Sequence, residues 1–226
     1  MIFSNTHLNP PDIDLKIGTE HINRANDTKF LGVYIDSKLN WSKHLTYCKN
    51  KLSSGLYALK NVKHLLPLKQ LKSLYYTLMH PYLNYGTILW GSAVQNSLKK
   101  IQVLQNKAIR NITNSKYNAS ATPLYKATKI TPLDALYKVH LAKFMYQHKN
   151  NLLPQSLQAL YTPNTETHKH NTRHKNDPHI IRHTTHLVSK TFIHKAPEFW
   201  YSLPDNIKEA RTIKSFKNKV TKQLGF

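Results

Sequence analysis

Carboxylates, the side chains that a two-metal polymerase or nuclease centre needs, are scarce in this sequence. Each divalent cation has to be held by several converging oxygen ligands. Asp12 and Asp14 are the only closely spaced acids in the first 160 residues, and beside Pro10 and Pro11 they read as solvated turn acids. No Asp-Asp dipeptide, phosphate-cradling P-loop, GxSxG or HExxH pattern occurs. The single cysteine, Cys48, falls on an apolar helical stripe, where a thiol is structural rather than nucleophilic. His168, His170 and His174, with His179, His183 and His186, could assemble an all-histidine metal site. They could equally form a pH-sensitive, phosphate-contacting loop with Thr172 and Arg173, or a solvated linker. Only Glu166 and Asp177 stand near enough in sequence to orient these rings, and few apolar residues are present to fix them, which weighs against metal.

The basic residues are the more informative chemistry. Lys and Arg number 33 against 11 Asp and Glu in 226 residues, for a formal charge of +22. Residues 1–36 carry −2, residues 37–160 carry +17 with Asp134 as their one acid, and residues 161–226 carry +7 with seven histidines between His168 and His194. A solvated helical face ordinarily mixes signs, because Glu and Lys at spacing four support each other. Eighteen cations with one anion forgo that support and call for a polyanionic partner, nucleic acid ahead of anionic lipid. Lys43, Lys49, Lys51, Lys99, Lys100, Lys107 and Arg110 are the candidate phosphate contacts in this zone, and Arg173 lies in the histidine-rich stretch. The aromatic residues Tyr82, Tyr85, Trp90, Phe199 and Trp200 could stack on bases, although their Pro, Gly and Leu neighbours favour buried packing.

The elements that must position these side chains can be read from periodicity. DLKI and KFLGVYID read as antiparallel strands separated by a turn-rich segment. From Trp41 the apolar residues recur at three or four (Leu45, Cys48, Leu52, Leu56, Leu59), which predicts a helix with Ser42 as a cap. Leu65-Leu66-Pro67 breaks it, and a second helix runs on to Pro81. SLKKIQVLQNKAIRNI places Leu98, Ile101, Leu104, Ala108, Ile109 and Ile112 inward, with Lys99, Lys100, Lys107 and Arg110 off the stripe. TPLDALYKVHLAKFMYQHKN repeats the pattern, so the middle of the chain predicts a bundle of four to five helices. Residues 163–186 read as a loop or linker, SKTFIHKAPEFWYSLP as a strand and tight turn, and TIKSFKNKVTKQLGF as a short basic helix.

With 40% hydrophobic and 10% aromatic residues the chain can bury a core. One cysteine precludes an internal disulfide and zinc sites built on two or more thiolates, and fits a reducing, intracellular compartment. No apolar run reaches membrane-spanning length, and the N-terminus lacks a signal-peptide pattern. Met1-Ile2-Phe3, followed at once by turn residues, reads as the end of a strand, which predicts that the sequence is a fragment.

KFLGVYID from Lys29 to Asp36, followed by Leu39-Asn40-Trp41 and His44, resembles the segment after the polymerase core in reverse transcriptases of non-LTR, LINE-type retrotransposons, the jockey-like clade in particular. Leu65-Leu66-Pro67, HPYLNYGTILWG, LQNKAIR, Thr122-Pro123-Leu124, the element from His168 to Thr172-Arg173, and APEFWYSLP follow in the order those proteins show, from about residue 28 to near the end. The resemblance implies a mainly α fold: an N-terminal β-hairpin remnant of a polymerase palm, a basic thumb-like helical bundle and a small irregular C-terminal region. Residues 1–36 would end the palm, with Phe30, Leu31, Gly32 and Val33 as a primer-grip-like hairpin. Residues 37–160 would be the thumb and following helices, 161–186 a loop or linker, and 187–226 a C-terminal region. Ala196 and Tyr201 depart from the Gly and Asn of the family's tail pattern. The family's aromatic-x-Asp-Asp sequence is not among these residues, so no cofactor is expected here, and Mg2+ would belong to an upstream catalytic palm.

The expected function is therefore a non-catalytic part of an RNA-directed DNA polymerase that binds RNA or an RNA–DNA primer–template. The alternative, from another class, is a basic helical adaptor that recruits an acidic protein or a ribonucleoprotein.

Overall fold

The computed structural model describes residues 1–3, 13–167, 177–180 and 185–226. Strands β1 (Lys16–Ile17) and β2 (Glu20–His21) form one small antiparallel hairpin, and β3 (Asp27–Phe30) and β4 (Val33–Asp36) form a second. KFLGVYID is therefore a hairpin rather than one continuous strand. Leu31 and Gly32 take positive φ values of 45° and 83°, which reverses the chain in two residues and sets Phe30 opposite Val33 and Asp27 opposite Asp36.

Helices follow from Ser42 onward: α1 (Ser42–Val62), α2 (Leu68–Leu78), α3 (His80–Asn84), α4 (Thr87–Trp90), α5 (Gln95–Ile112), α6 (Ala121–Thr128) and α7 (Leu133–Lys149). Then come α8 (Gln155–Gln158), α9 (Asn164–Thr167), α10 (His186–Ser189), α11 (Phe192–Tyr201), α12 (Asp205–Lys208) and α13 (Ile213–Gln223). The described residues are mainly α, as expected from the sequence.

The turn into α1 is built from side chains. Asp36 Oδ1 accepts from the amides of Lys38 at 3.2 Å and Asn40 at 3.0 Å, and Asn40 Oδ1 accepts from the Ser42 amide at 2.9 Å. These bonds hold Leu39 and Trp41 in the left-handed region, at φ 52° and 64°. Ser42 does not cap the helix, because Trp41 occupies the cap position and Asn40 has already satisfied the Ser42 amide.

Helix α1 buries Leu45, Cys48, Leu52 and Leu59 against α2 and α5. At Gly55 a β-carbon would lie 2.7 Å from Met79 Cγ and 3.1 Å from the Leu78 carbonyl, so the close approach of α1 to the end of α2 requires glycine there. Two apolar clusters share α7. Leu133 and Leu136 join the first, with α1, α2 and α5, while Val139, Leu141, Ala142, Phe144, Met145 and Tyr146 join the second, with Trp200, Phe216 and Val220. Helix α7 therefore presents apolar residues to both clusters, while Asp134 and Lys149 stay exposed.

SKTFIHKAPEFWYSLP is helical, not a strand and turn. Pro197 sits inside α11 and cannot donate to the Ile193 carbonyl, but the Tyr161 hydroxyl donates to that carbonyl instead, at 2.9 Å. The described ends of the histidine-rich stretch meet each other: the Asn164 amide donates to Asp177 O at 3.1 Å and the His179 amide to Thr162 O at 2.8 Å.

Candidate nucleic-acid interface

The β3–β4 hairpin is fixed to the helical body at three points. Val33 is buried against the α3–α4 turn, where a β-carbon on Gly86 would stand 3.2 Å from Val33 Cγ2. The Tyr85 hydroxyl donates to the Leu31 carbonyl at the hairpin tip. The Tyr34 amide donates to His44 Nδ1 on α1 at 3.4 Å. Of the four hairpin residues for which the resemblance implied a primer grip, Val33 is thus the anchor, while Phe30 at 62% and Leu31 at 74% exposure are presented outward beside Gly32.

The hairpin and α1 together form a surface of which sequence reasoning named Lys51 and Tyr82 but missed Lys29, Tyr34 and Tyr47. The rings of Tyr34 and Tyr47 lie 5.3 Å apart, and those of Tyr47 and Tyr82 lie 6.1 Å apart edge-on. Lys29 Nζ stands 5.6 Å from the Tyr34 centroid and 5.8 Å from that of Tyr47, and Lys51 Nζ also stands 5.8 Å from the Tyr47 centroid. All three tyrosines are half-buried, so each keeps a rim free. Cations interleaved with partly exposed rings suit a polyanion that carries stacked bases. The available signal was Tyr47 standing four residues before Lys51 on one helix, which places ring and ammonium on the same face.

The predicted cations divide by environment. Lys49, Lys99, Lys100 and Lys107 are exposed. Lys100, Val103 and Lys107, at spacings of three and four, form an exposed stripe on α5, which packs along α1. Lys99 lines a cavity of about 460 Å³ between α5, α7 and α11 in which Lys138 and Lys195 already carry partners, Asp134 and Glu198. Lys43 is paired with Asp27 at 3.4 Å, an exposed contact of small energy that a phosphate could displace. Arg110 is committed in part to the fold: its Nε donates to the Ala119 carbonyl at 2.8 Å and holds the loop before α6. Arg173 lies outside the described residues, as do His168, His170, His174 and His183.

Trp90 and Trp200 are fully buried, whereas Tyr85 is 55% exposed with its hydroxyl engaged at the hairpin. Cys48 is buried, 3.4 Å from His44 Nε2, and burial pushes its thiol up to about 12, so it stays protonated at neutral pH. His44 is held below the ordinary imidazole range by burial, which suits the acceptor role of its Nδ1. Among the described residues no three His, Cys, Asp or Glu side chains converge as a metal site, and no helix is long and apolar enough to cross a membrane.

No family model matches the chain, and no solved structure matches it significantly. Curated relatives do. The probable RNA-directed DNA polymerase from transposon X-element of Drosophila melanogaster is 31% identical over 136 residues, 57% of this chain and 15% of its own length. The probable RNA-directed DNA polymerase from transposon BS of the same organism is 24% identical over 145 residues, 63% of this chain and 16% of its own. The RNA-directed DNA polymerase from mobile element jockey, also of Drosophila melanogaster, is 26% identical over 132 residues, 57% of this chain and 14% of its own. The matches thus span only 14–16% of the length of these curated relatives. Over part of its length, the chain is homologous to RNA-directed DNA polymerases of Drosophila non-LTR retrotransposons.

Proposed function

We propose that this chain grips RNA or an RNA–DNA primer–template as the thumb-like part of a reverse transcriptase and contributes binding rather than the chemical step. The observation that carries the reading is the basic–aromatic surface where the β3–β4 hairpin meets α1: Lys29, Tyr34, Tyr47, Lys51 and Tyr82 beside the outward-facing Phe30 and Leu31. Lysines at this surface neutralise phosphates, and the tyrosine rims and hairpin tip lie against the sugar–base side of a primer end. Lys99, Lys100 and Lys107 extend the contact along α5, and Lys43 and Lys49 along α1. The divalent ions of polymerisation are held by other residues of such a polymerase. In the +17 zone the lone acid, Asp134, is spent on Lys138 at 2.7 Å.

Fluorescence anisotropy on an RNA–DNA primer–template, with Tyr47→Ala and Lys51→Gln, tests the reading. Loss of one stacked ring should weaken binding by about 1–3 kcal/mol. Unchanged affinity in both variants, or preference for an acidic polypeptide over the duplex, would favour the adaptor reading instead.

A further inference from the structure

The basic helix α13 holds cations that the hairpin surface leaves unused. Its apolar residues Ile213, Phe216 and Val220, with Leu224 just beyond its end, fall at spacings of three and four and turn into the cluster shared with α7. The other sides face solvent. Thr212, Lys214, Ser215, Asn218, Lys219 and Lys222, all exposed, together line one shallow concavity of about 420 Å³ along the helix.

The charge on this face has no answer within the chain. Residues 210–226 hold Arg211 and four lysines and no Asp or Glu. Among the described residues, no ion pair involves Lys214, Lys217, Lys219 or Lys222. Lys214 and Lys217, like Lys219 and Lys222, stand three residues apart, so like charges are neighbours on the helix. Lys214 also lies in the first turn, at the positive end of the helix dipole. An anion laid along the face relieves both repulsions.

The remaining groups point to the kind of anion. No large apolar side chain is exposed on α13, so the face lacks the apolar half of a membrane-surface helix. It does carry the Thr212 and Ser215 hydroxyls and the Asn218 amide, which with lysine are the usual donors to phosphate and sugar. Thr212 Oγ1 accepts from the Ser215 amide at 3.2 Å and keeps its own proton to donate. Lys219 Nζ gives one hydrogen bond to the Asn206 carbonyl, at 2.9 Å, and retains two further donors. From Lys214 to Lys222 the helix runs about 12 Å, the axial length of about three phosphates on one strand of a duplex.

We infer that the outward face of α13 is a second nucleic-acid contact, which follows the phosphates of one strand through Lys214, Lys219 and Lys222 without reading bases. It adds to the hairpin reading and does not rest on it, because β4 packs on α1 whereas α13 packs on α7 and α12.

The test is fluorescence anisotropy of the whole chain on a labelled RNA stem-loop across a salt series, with Lys214→Gln/Lys222→Gln. The variant leaves the inward residues and the Lys219 tether intact. A control, Lys69→Gln/Lys116→Gln, removes the same net charge from exposed positions on other elements. The α13 variant should bind about tenfold more weakly, with a log–log salt slope shallower by about 1.4–1.8, while the control stays near the unaltered protein. An unchanged slope in the α13 variant, or an equal loss in the control, would overturn the inference. So would polyglutamate or phosphatidylserine vesicles that bind as tightly as the RNA and lose as much affinity in the α13 variant. Tyr47→Ala and Lys51→Gln read the hairpin separately: binding unchanged by those two but weakened by the α13 variant would sink the hairpin reading and leave this one standing.

Discussion

Gln105 shows how much a single residue can decide. It is fully buried in the middle of α5, its Nε2 donates to the Tyr75 hydroxyl at 2.9 Å and the Thr131 carbonyl at 3.0 Å, and its Oε1 accepts from the Leu133 amide at 2.9 Å. One side chain therefore ties α5 to α2 and to the first turn of α7. Periodicity placed Leu104 on the inward stripe, yet Gln105 stands four residues after Ile101 and three before Ala108 and is the more deeply buried. An apolar count passes over such a residue because its burial is paid in hydrogen bonds. Gln105→Ala should destabilise the fold by about 2–4 kcal/mol, since it opens a cavity and takes away the Gln105 partner of the Tyr75 hydroxyl and the Thr131 carbonyl. Chemical denaturation measures this, and a loss under about 1 kcal/mol would mean that water replaces the amide.

Among the elements, the β3–β4 hairpin carries most of the functional argument, and it was the element least legible from periodicity. Alternation alone cannot separate one eight-residue strand from two four-residue strands with a tight turn, and Leu-Gly is a weaker turn signal than Asn-Gly. What settles the hairpin is tertiary: Val33 beneath Gly86, and the Tyr85 hydroxyl on the Leu31 carbonyl. The long helices, by contrast, were legible, because apolar residues at three and four recur through α1, α5 and α7 and Pro67 marks a break. The Pro197 helix was not legible, since its missing bond is compensated by Tyr161, distant in sequence. Tyr85→Phe removes only the tip bond. Amide exchange at residues 28–35 should quicken by the equivalent of about 0.5–1.5 kcal/mol, with global stability unchanged. Unaltered exchange would show that the other contacts, Val33 against Gly86 and the Tyr34 amide on His44, dock the hairpin without the tip bond.

At the scale of the whole molecule, three imidazoles, buried His44 and half-buried His80 and His140, make stability depend on acid. His44, His80 and His140 are all held below the ordinary value by burial, with nearby cations adding to the effect at His80 and His140. In the unfolded chain they protonate near about 6.5. Below that pH the unfolded state binds more protons, so the stability present at neutral pH is lost as pH falls towards about 4, where His140 protonates in the folded state. Each ring contributes a slope of at most about 1.4 kcal/mol per pH unit in that window. In phosphate-free buffer the melting temperature should be flat above about pH 7.5 and fall below about 6.5, less steeply in His140→Gln. A flat profile throughout would contradict the neutral assignment of these rings.

The charge of +22 was legible in the sequence, but its division between exposed Lys49, Lys99, Lys100 and Lys107, paired Lys43 and tethered Arg110 was not, because spacing gives a face and not a partner. The most direct test of duplex binding is the salt dependence of affinity for an RNA–DNA primer–template, measured by anisotropy for the whole chain and for Lys99→Glu/Lys100→Glu/Lys107→Glu. Each phosphate contact contributes about 0.7–0.9 to the log–log slope, so the triple variant should bind more weakly with a slope shallower by about 2–3. An identical slope in the two proteins would mean that the α5 lysines touch no phosphate and would contradict the account.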